Sequence, residues 1–153
     1  MKSEMRSNIL QLTSCSKSSL VSITRIDSDD ILQKEALSKL VNCLEYKENV
    51  LYNFGKIICF DLKRKIFTNF KQVSGPFITL VTSINKDRFN SIFDYSHHDW
   101  PSVFEIRQID DEFYAIQIIH GGNLINRLQG NFMWNFSINT LPKHFKLNHK
   151  III

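Results

Sequence analysis

The sequence predicts an α+β fold in which a curved, mostly antiparallel, meander-like β-sheet packs on one main N-terminal helix. One helical segment near the start is followed by many short segments rich in β-branched and aromatic residues. Short turns separate these segments, which favours antiparallel neighbours, whereas a parallel sheet requires regular alternation of strands and helices. With 153 residues, the chain can bury a core without disulfides or metals as staples.

The chain is expected to form one domain. A Ser-rich stretch near the start predicts a loosely ordered segment over 1–19, and a single α+β domain is expected over 20–153. The second range contains no internal repeat and no linker rich in Pro or Gly.

The first elements expected are a strand and the main helix. The β-branched residues of 20–26 predict the strand. Ser28 is a suitable N-cap, and Asp29 and Asp30 suit the positive end of a helix dipole. The helix is expected to run to about Tyr46 with its apolar residues on one core face. These residues are Ile31, Leu32, Leu37, Leu40, Val41 and Leu44.

The middle of the chain changes to a period of two. Strands are expected at 56–62, 66–72 and 77–84, with tight turns at Lys63-Arg64-Lys65 and Ser74-Gly75-Pro76. The short turns indicate that these strands are antiparallel neighbours in one sheet.

The last third is interpreted as a continuation of the same sheet. Strands at 103–109 and 113–119 flank an acidic turn, Asp110-Asp111-Glu112, and the alternation over 131–139 predicts a further strand. A terminal strand at 144–153 is expected to close or edge the sheet. If 103–109 or 144–153 is an unpaired edge strand, pairing with a second copy would give a homodimer.

Several protein classes are disfavoured. No apolar run approaches the roughly 20 residues of a membrane-spanning helix, and the first residues are too polar for a secretion signal. The chain has three cysteines, an odd number, and they are far apart in the sequence, at Cys15, Cys43 and Cys59. Neither a disulfide framework nor a zinc-binding pair is therefore expected. The protein is therefore expected in the cytoplasm, without a cofactor and without a membrane partner.

A catalytic function is not expected. The sequence contains neither a G-x-S-x-G nucleophile elbow nor a glycine-rich phosphate loop. Three histidines and an aspartate are of the residue types that form a zinc site or an acid–base pair, but their spacing matches no known ligand pattern. These residues are His97, His98, His120 and Asp99. A His-dependent or metal-dependent enzyme is therefore the third hypothesis, and an exposed loop is the simpler interpretation.

The distribution of charge favours a binding module. Residues 99–113 hold five acidic residues and one basic residue, although the whole chain carries a net charge of +4. Such segregated charge steers charged partners. The first hypothesis is therefore a stoichiometric inhibitor or immunity-type protein that neutralises a toxin or nuclease, with acidic residues facing a basic groove and a tryptophan as anchor. The residues expected to contact that partner are Asp99, Trp100, Glu105, Asp110, Asp111 and Glu112.

Nucleic-acid binding is the alternative hypothesis. The sequence pI is near 9.0, and no residue after Glu112 is acidic, which predicts a basic face. The aromatic residues of 131–139 would stack on bases only if exposed, whereas their alternation favours a core face. The candidate residues are Lys63, Arg64, Lys65, Arg127, Lys143, Lys146 and Lys150.

Overall fold

Two β-sheets and three helices form the described part of the protein. The computed structural model describes residues 2–13, 20–28, 30–84, 90–96, 98–120, 130–133 and 145. The helices are α1 (Lys2–Thr13), α2 (Ala36–Cys43) and α3 (Trp100–Val103). The strands are β1 (Leu20–Arg25), β2 (Ile31–Leu32), β3 (Val50–Phe54), β4 (Lys56–Asp61), β5 (Ile66–Lys71), β6 (Ile78–Ser83), β7 (Glu105–Ile109), β8 (Ala115–Ile119) and β9 (Asn131–Phe132).

The strand order confirms the α+β class but not a single meander-like sheet. One sheet has four strands in the order β1-β6-β3-β7, and the other has five in the order β2-β8-β4-β5-β9. Most neighbours are antiparallel, but β3 pairs with β7 in parallel, and β4 pairs with β8 in parallel. The N-terminal helix α1 lies within the range 1–19 for which the sequence predicts loose order.

One crossover joins the two sheets. Strand β3 continues into β4 through Gly55 alone, and β7 continues into β8 through residues 110–114. The two segments run side by side, so each contributes a strand to both sheets. A Cβ at position 55 would lie 2.5 Å from Oε1 of Gln108, so a larger residue there would displace the Gln108 amide from its hydrogen bond with Asn53.

Strands β3 and β4 are buried on both faces at this crossover. Leu51 of β3 packs in one apolar cluster with Trp100, whereas the next residue, Tyr52, packs in another cluster with α2. In β4, Ile57 and Ile58 likewise face different clusters. All residues of β3 are buried, so no alternation of apolar and polar residues marks this strand, and the sequence analysis did not predict it.

The predicted main helix is wrong in its first half. Ile31 and Leu32 form strand β2, which pairs with Ile116 and Ala115 of β8, and α2 begins only at Ala36. The carboxylate of Asp30 does not cap a helix, because its Oδ1 accepts a hydrogen bond of 2.9 Å from the backbone N–H of Ile118. Pairing with a distant strand thus overrides the local helical spacing.

The buried face of α2 also differs from the prediction. Ala36 and Leu40 are buried, whereas Leu37 and Val41 are 51% and 64% exposed. The helix is two turns long, starts seven residues after position 29, where the predicted helix begins, and turns the stripe of Ala36 and Leu40 to the core.

The predicted hairpin around Asp110-Asp111-Glu112 is wrong. The two strands that flank it are present as β7 and β8, but they lie in different sheets, and each pairs in parallel with part of the β3–β4 segment. Local alternation predicts a strand, but it does not determine its partner. The predicted pairing of 56–62 with 66–72 is confirmed, since β4 and β5 are antiparallel across the turn at 62–65. The predicted place of 77–84 in the same sheet is wrong, because β6 pairs with β1 and β3 in the four-stranded sheet.

Some sequence predictions lie outside the described residues. These include most of the strand at 131–139 and all of the terminal strand at 144–153 except Phe145. Strand β9 covers the first two residues of the range 131–139 and pairs with β5. No helix in the described ranges is long and apolar enough to cross a membrane.

A buried asparagine ties the loop after β5 to the crossover. Asn53 of β3 is fully buried, and its Nδ2 donates to the backbone carbonyl of Gln72 at 2.7 Å and to Oε1 of Gln108 at 2.8 Å. Its Oδ1 accepts from the backbone N–H of Gly75 at 2.9 Å. The amide of Gln108 in turn donates to the backbone carbonyl of Val73 at 2.8 Å. This network holds the segment 72–75 against β3 and β7.

We expect the substitution Asn53→Leu to lower the free energy of unfolding by about 3 kcal/mol, because buried donors and acceptors lose their partners. Urea unfolding followed by circular dichroism measures the change. The matched control is Asn42→Leu on the exposed side of α2, where the expected change is within about 0.5 kcal/mol. Equal effects of the two substitutions would contradict the role of Asn53.

Candidate functional site

The crossover carries an acidic bulge. Paired residues are 55 positions apart in β3 and β7 but 58 positions apart in β4 and β8, so the β7–β8 segment has three more residues than its neighbour. The additional length falls in residues 110–113, which we call the acidic bulge. The neighbouring segment passes between the sheets with Gly55 alone, so the crossover itself does not require the extra residues.

Three lysines from the surrounding elements contact the acidic bulge. Lys39 of α2 forms an ion pair with Asp111, and Lys71 of β5 forms one with Asp110 at 3.2 Å. Lys56 of β4 donates to the backbone carbonyl of Asp111 at 3.2 Å. The carboxylates remain about half exposed, at 43% for Asp110 and 51% for Asp111. Exposed ion pairs of this kind contribute little to stability and exchange readily.

Glu112 differs from the two aspartates. Its side chain is exposed and forms no ion pair with a described residue. The bulge therefore presents one carboxylate that no lysine of the described residues neutralises.

The ion pair shifts the titration of both partners. The hydrogen bond from Lys39 lowers the pKa of Asp111 below its usual value of 3.8. The same bond raises the pKa of Lys39 above its usual value of 10.5. Burial raises the pKa of the Tyr114 phenol, and the nearby carboxylate of Asp111 adds to that increase.

Two aromatic residues fix the end of the bulge in the core. Tyr114 is buried, its ring centroid lies 5.3 Å from that of Phe54, and its hydroxyl donates to Oδ2 of Asp111 at 3.4 Å. Phe113 packs against the apolar cluster that contains Ile58 and Ile116 of the five-stranded sheet. The carboxylates therefore project from an anchored backbone.

A cavity lies on each side of the acidic bulge. The first, of about 370 Å³, is lined by Gln33, Ile58 and the bulge residues Asp111, Glu112 and Phe113, among others. The second, of about 320 Å³, is lined by residues that include Val73, Ile106 and Asp110. The bulge is thus a charged ridge between two cavities with partly apolar walls.

The other predicted partner-binding residues lie elsewhere. Glu105 is at the opposite end of β7, where it pairs with Lys47 and Arg107, and these two bases lower its pKa. Asp99 accepts a hydrogen bond of 2.7 Å from Oγ of Ser96 within its own turn. Trp100 is completely buried, so its ring does not contact a partner in this structure.

The homodimer hypothesis for the strand at 103–109 depends on an edge position in its sheet. Strand β7 lies at one edge of the four-stranded sheet as the described strands order it. Its charged residues Glu105 and Arg107 are typical of an edge protected from pairing. Homodimer formation through this edge stays a prediction.

The histidines are not brought together among the residues that the structure describes. His98 is exposed, His120 follows β8 and is half-buried, and His97 lies outside the described residues. No group of three His, Cys, Asp or Glu side chains in the described ranges has the geometry of a metal site.

Only part of the predicted basic face is described. Lys63, Arg64 and Lys65 are exposed at the turn between β4 and β5, and Arg64 pairs with Asp61 at 3.4 Å. The remaining candidates lie outside the described residues. They are Arg127, Lys143, Lys146 and Lys150.

Comparisons with known proteins give no match. No protein-family model, no curated protein and no solved structure matches the chain at a significant level.

We expect the ion pair of Lys39 with Asp111 to make stability depend on pH in a defined way. The pKa of Asp111 is lowered in the folded state. Above pH 3.8 the free energy of unfolding of wild type should therefore exceed that of Lys39→Met. This difference should vanish as the pH falls through the lowered pKa of Asp111. The pKa of Lys39 is raised in the folded state, so the same difference in free energy of unfolding should also vanish as the pH rises above 10.5 and through the raised pKa of Lys39.

Urea unfolding across the pH range measures this difference. Lys34→Met is the control, since Lys34 is exposed and has no ion pair with a described residue. A difference between wild type and Lys39→Met that stays constant with pH would contradict the assigned ion pair.

Proposed function

We propose that the protein acts by stoichiometric binding to another protein, and that the acidic bulge contacts this partner. The observation that carries the proposal is the extra length of the bulge. Three residues are inserted where the neighbouring segment needs none, and the inserted segment is acidic and exposed. Loops that a scaffold does not require are common positions for binding residues.

The charges of the bulge define the partner's surface. Glu112 has no ion pair with a described residue, so a lysine or arginine of the partner adds an interaction there. At Asp110 and Asp111 a partner's base replaces an exposed intramolecular ion pair, and this exchange costs little because both lysines return to water. The partner is therefore expected to present a basic surface.

The cavities beside the bulge supply the apolar part of an interface. Val73 is 64% exposed and lines the cavity that also contains Asp110. Phe113 lines the cavity on the other side. Apolar pockets within a charged rim are the usual arrangement of protein–protein interfaces, and a side chain of the partner can enter each of them.

An inhibitor or immunity-type protein fits this arrangement. Carboxylates on a ridge occupy a basic groove of an enzyme in the way that phosphates do, so a toxin or nuclease with such a groove is the class of partner proposed. Trp100 is left out of the proposed surface because it is buried.

We expect Glu112→Lys to weaken partner binding at least about tenfold, since a like charge then faces the partner's basic surface. Tagged wild type, Glu112→Lys and the control Glu48→Lys are used to capture proteins from nuclease-treated native lysate, and the bound proteins are quantified by mass spectrometry. Glu48 is exposed, lies in the loop before β3, away from the crossover, and has no ion pair with a described residue.

The proposal requires one protein that wild type and Glu48→Lys retain at a one-to-one ratio and that Glu112→Lys loses. If that protein is an enzyme, one equivalent of wild type should abolish its activity. Equal retention by all three variants, or retention that nuclease treatment removes, would contradict protein binding through the bulge.

A further inference from the structure

Two lysines face each other across the β4–β5 ladder. Lys56 and Lys71 are directly opposite in the antiparallel register, so their side chains leave the sheet on the same face. Like charges in such a position are destabilising unless a negative group lies between or beside them. The pair therefore requires a physical explanation.

The acidic bulge compensates this charge only in part. Nζ of Lys71 lies 3.2 Å from Oδ2 of Asp110, but Nζ of Lys56 contacts only a backbone carbonyl, that of Asp111. No carboxylate of a described residue lies within ion-pair distance of Lys56. Two positive charges thus share one negative charge.

Both lysines also line a third cavity, which shares Lys56 and Phe113 with the first cavity beside the bulge and Lys71 with the second. Its volume is about 430 Å³, which lies in the range of sites for small ligands. No acidic residue belongs to the described lining, so the cavity is positively charged. The other lining residues are Asn69, Phe70, Phe113, Gly130 and Asn131.

Two carboxamides stand next to the lysines on the same face. Asn69 lies two positions from Lys71 in β5, and Asn131 of β9 is its partner across the next ladder. Neither amide has a hydrogen bond to another described residue from its side chain. Gly130 permits this approach, because a Cβ at its position would collide with the backbone carbonyl of Asn69.

We propose that this cavity binds the phosphate group of a small phosphomonoester with an apolar or aromatic substituent. Two ammonium groups and two carboxamides supply enough donors for three phosphate oxygens, whereas a carboxylate has only two oxygens and one charge. Phe113 provides the apolar wall for the substituent. The site adjoins the acidic bulge through Phe113, but the bulge carboxylates do not line it, and its test uses a small molecule and needs no protein partner.

The test uses the full chain and phenyl phosphate as the probe. Addition of phenyl phosphate should shift the backbone amide signals of Asn69, Lys71 and Asn131 in ¹H–¹⁵N correlation spectra. Phenyl phosphate should also bind more tightly than inorganic phosphate. Lys56→Gln and Lys71→Gln should each weaken binding about tenfold or more, because each removes a charge-assisted hydrogen bond. Lys47→Gln, at the far end of β3, should bind as wild type does.

Two measurements keep the outcome decisive. Each variant must retain the wild-type Tm in phosphate-free buffer, which separates loss of the site from loss of the fold. Equal weakening by Lys47→Gln would show a general charge effect and overturn the proposal, as would the absence of shifts at these three amides. Tighter binding of oligothymidylate than of phenyl phosphate, with the same shifts, would assign the site to a nucleic-acid backbone and also overturn it.

Discussion

The structure depends on the passage of two parallel segments between its two sheets. The β3–β4 segment crosses with one glycine, and the β7–β8 segment crosses beside it with the acidic bulge. Each sheet therefore contains strands that continue into the other, and the apolar residues on both faces pack into three clusters around them. Burial on both faces supplies the free energy that offsets the ordering of so many strands. The candidate sites lie at this crossover.

Strand positions were largely predictable, whereas strand partners were not. Four strands begin and end within two residues of their predicted bounds, namely β1, β4, β5 and β6. The reason is that β-branched and aromatic residues favour an extended backbone whatever their partner strand is. Two strands were missed. β2 lies within the predicted helix, and β3 is buried throughout and contains Asn53, so its sequence shows neither alternation nor a uniform apolar run. The supposed hairpin at the acidic residues failed because parallel pairing with β3 and β4 is a long-range interaction.

The site was predictable in part. The acidic residues 110–112 were recognised from charge alone, but their lysine partners come from α2, β4 and β5, which only the tertiary structure brings together. The opposed pair Lys56 and Lys71 could have been found in the sequence. A four-residue turn at 62–65 pairs position 61 with 66, and counting outward in the ladder pairs 56 with 71. The buried position of Trp100 had no comparable signal, since its neighbours are polar.

We expect the crossover to make the two sheets one cooperative unit. Native-state hydrogen exchange in increasing urea tests this through the amides of β6 in the first sheet and β5 in the second, strands that do not themselves cross. The slowest amides of both strands should exchange with one common free energy, equal to that of global unfolding. Two distinct free energies, one for each sheet, would contradict it.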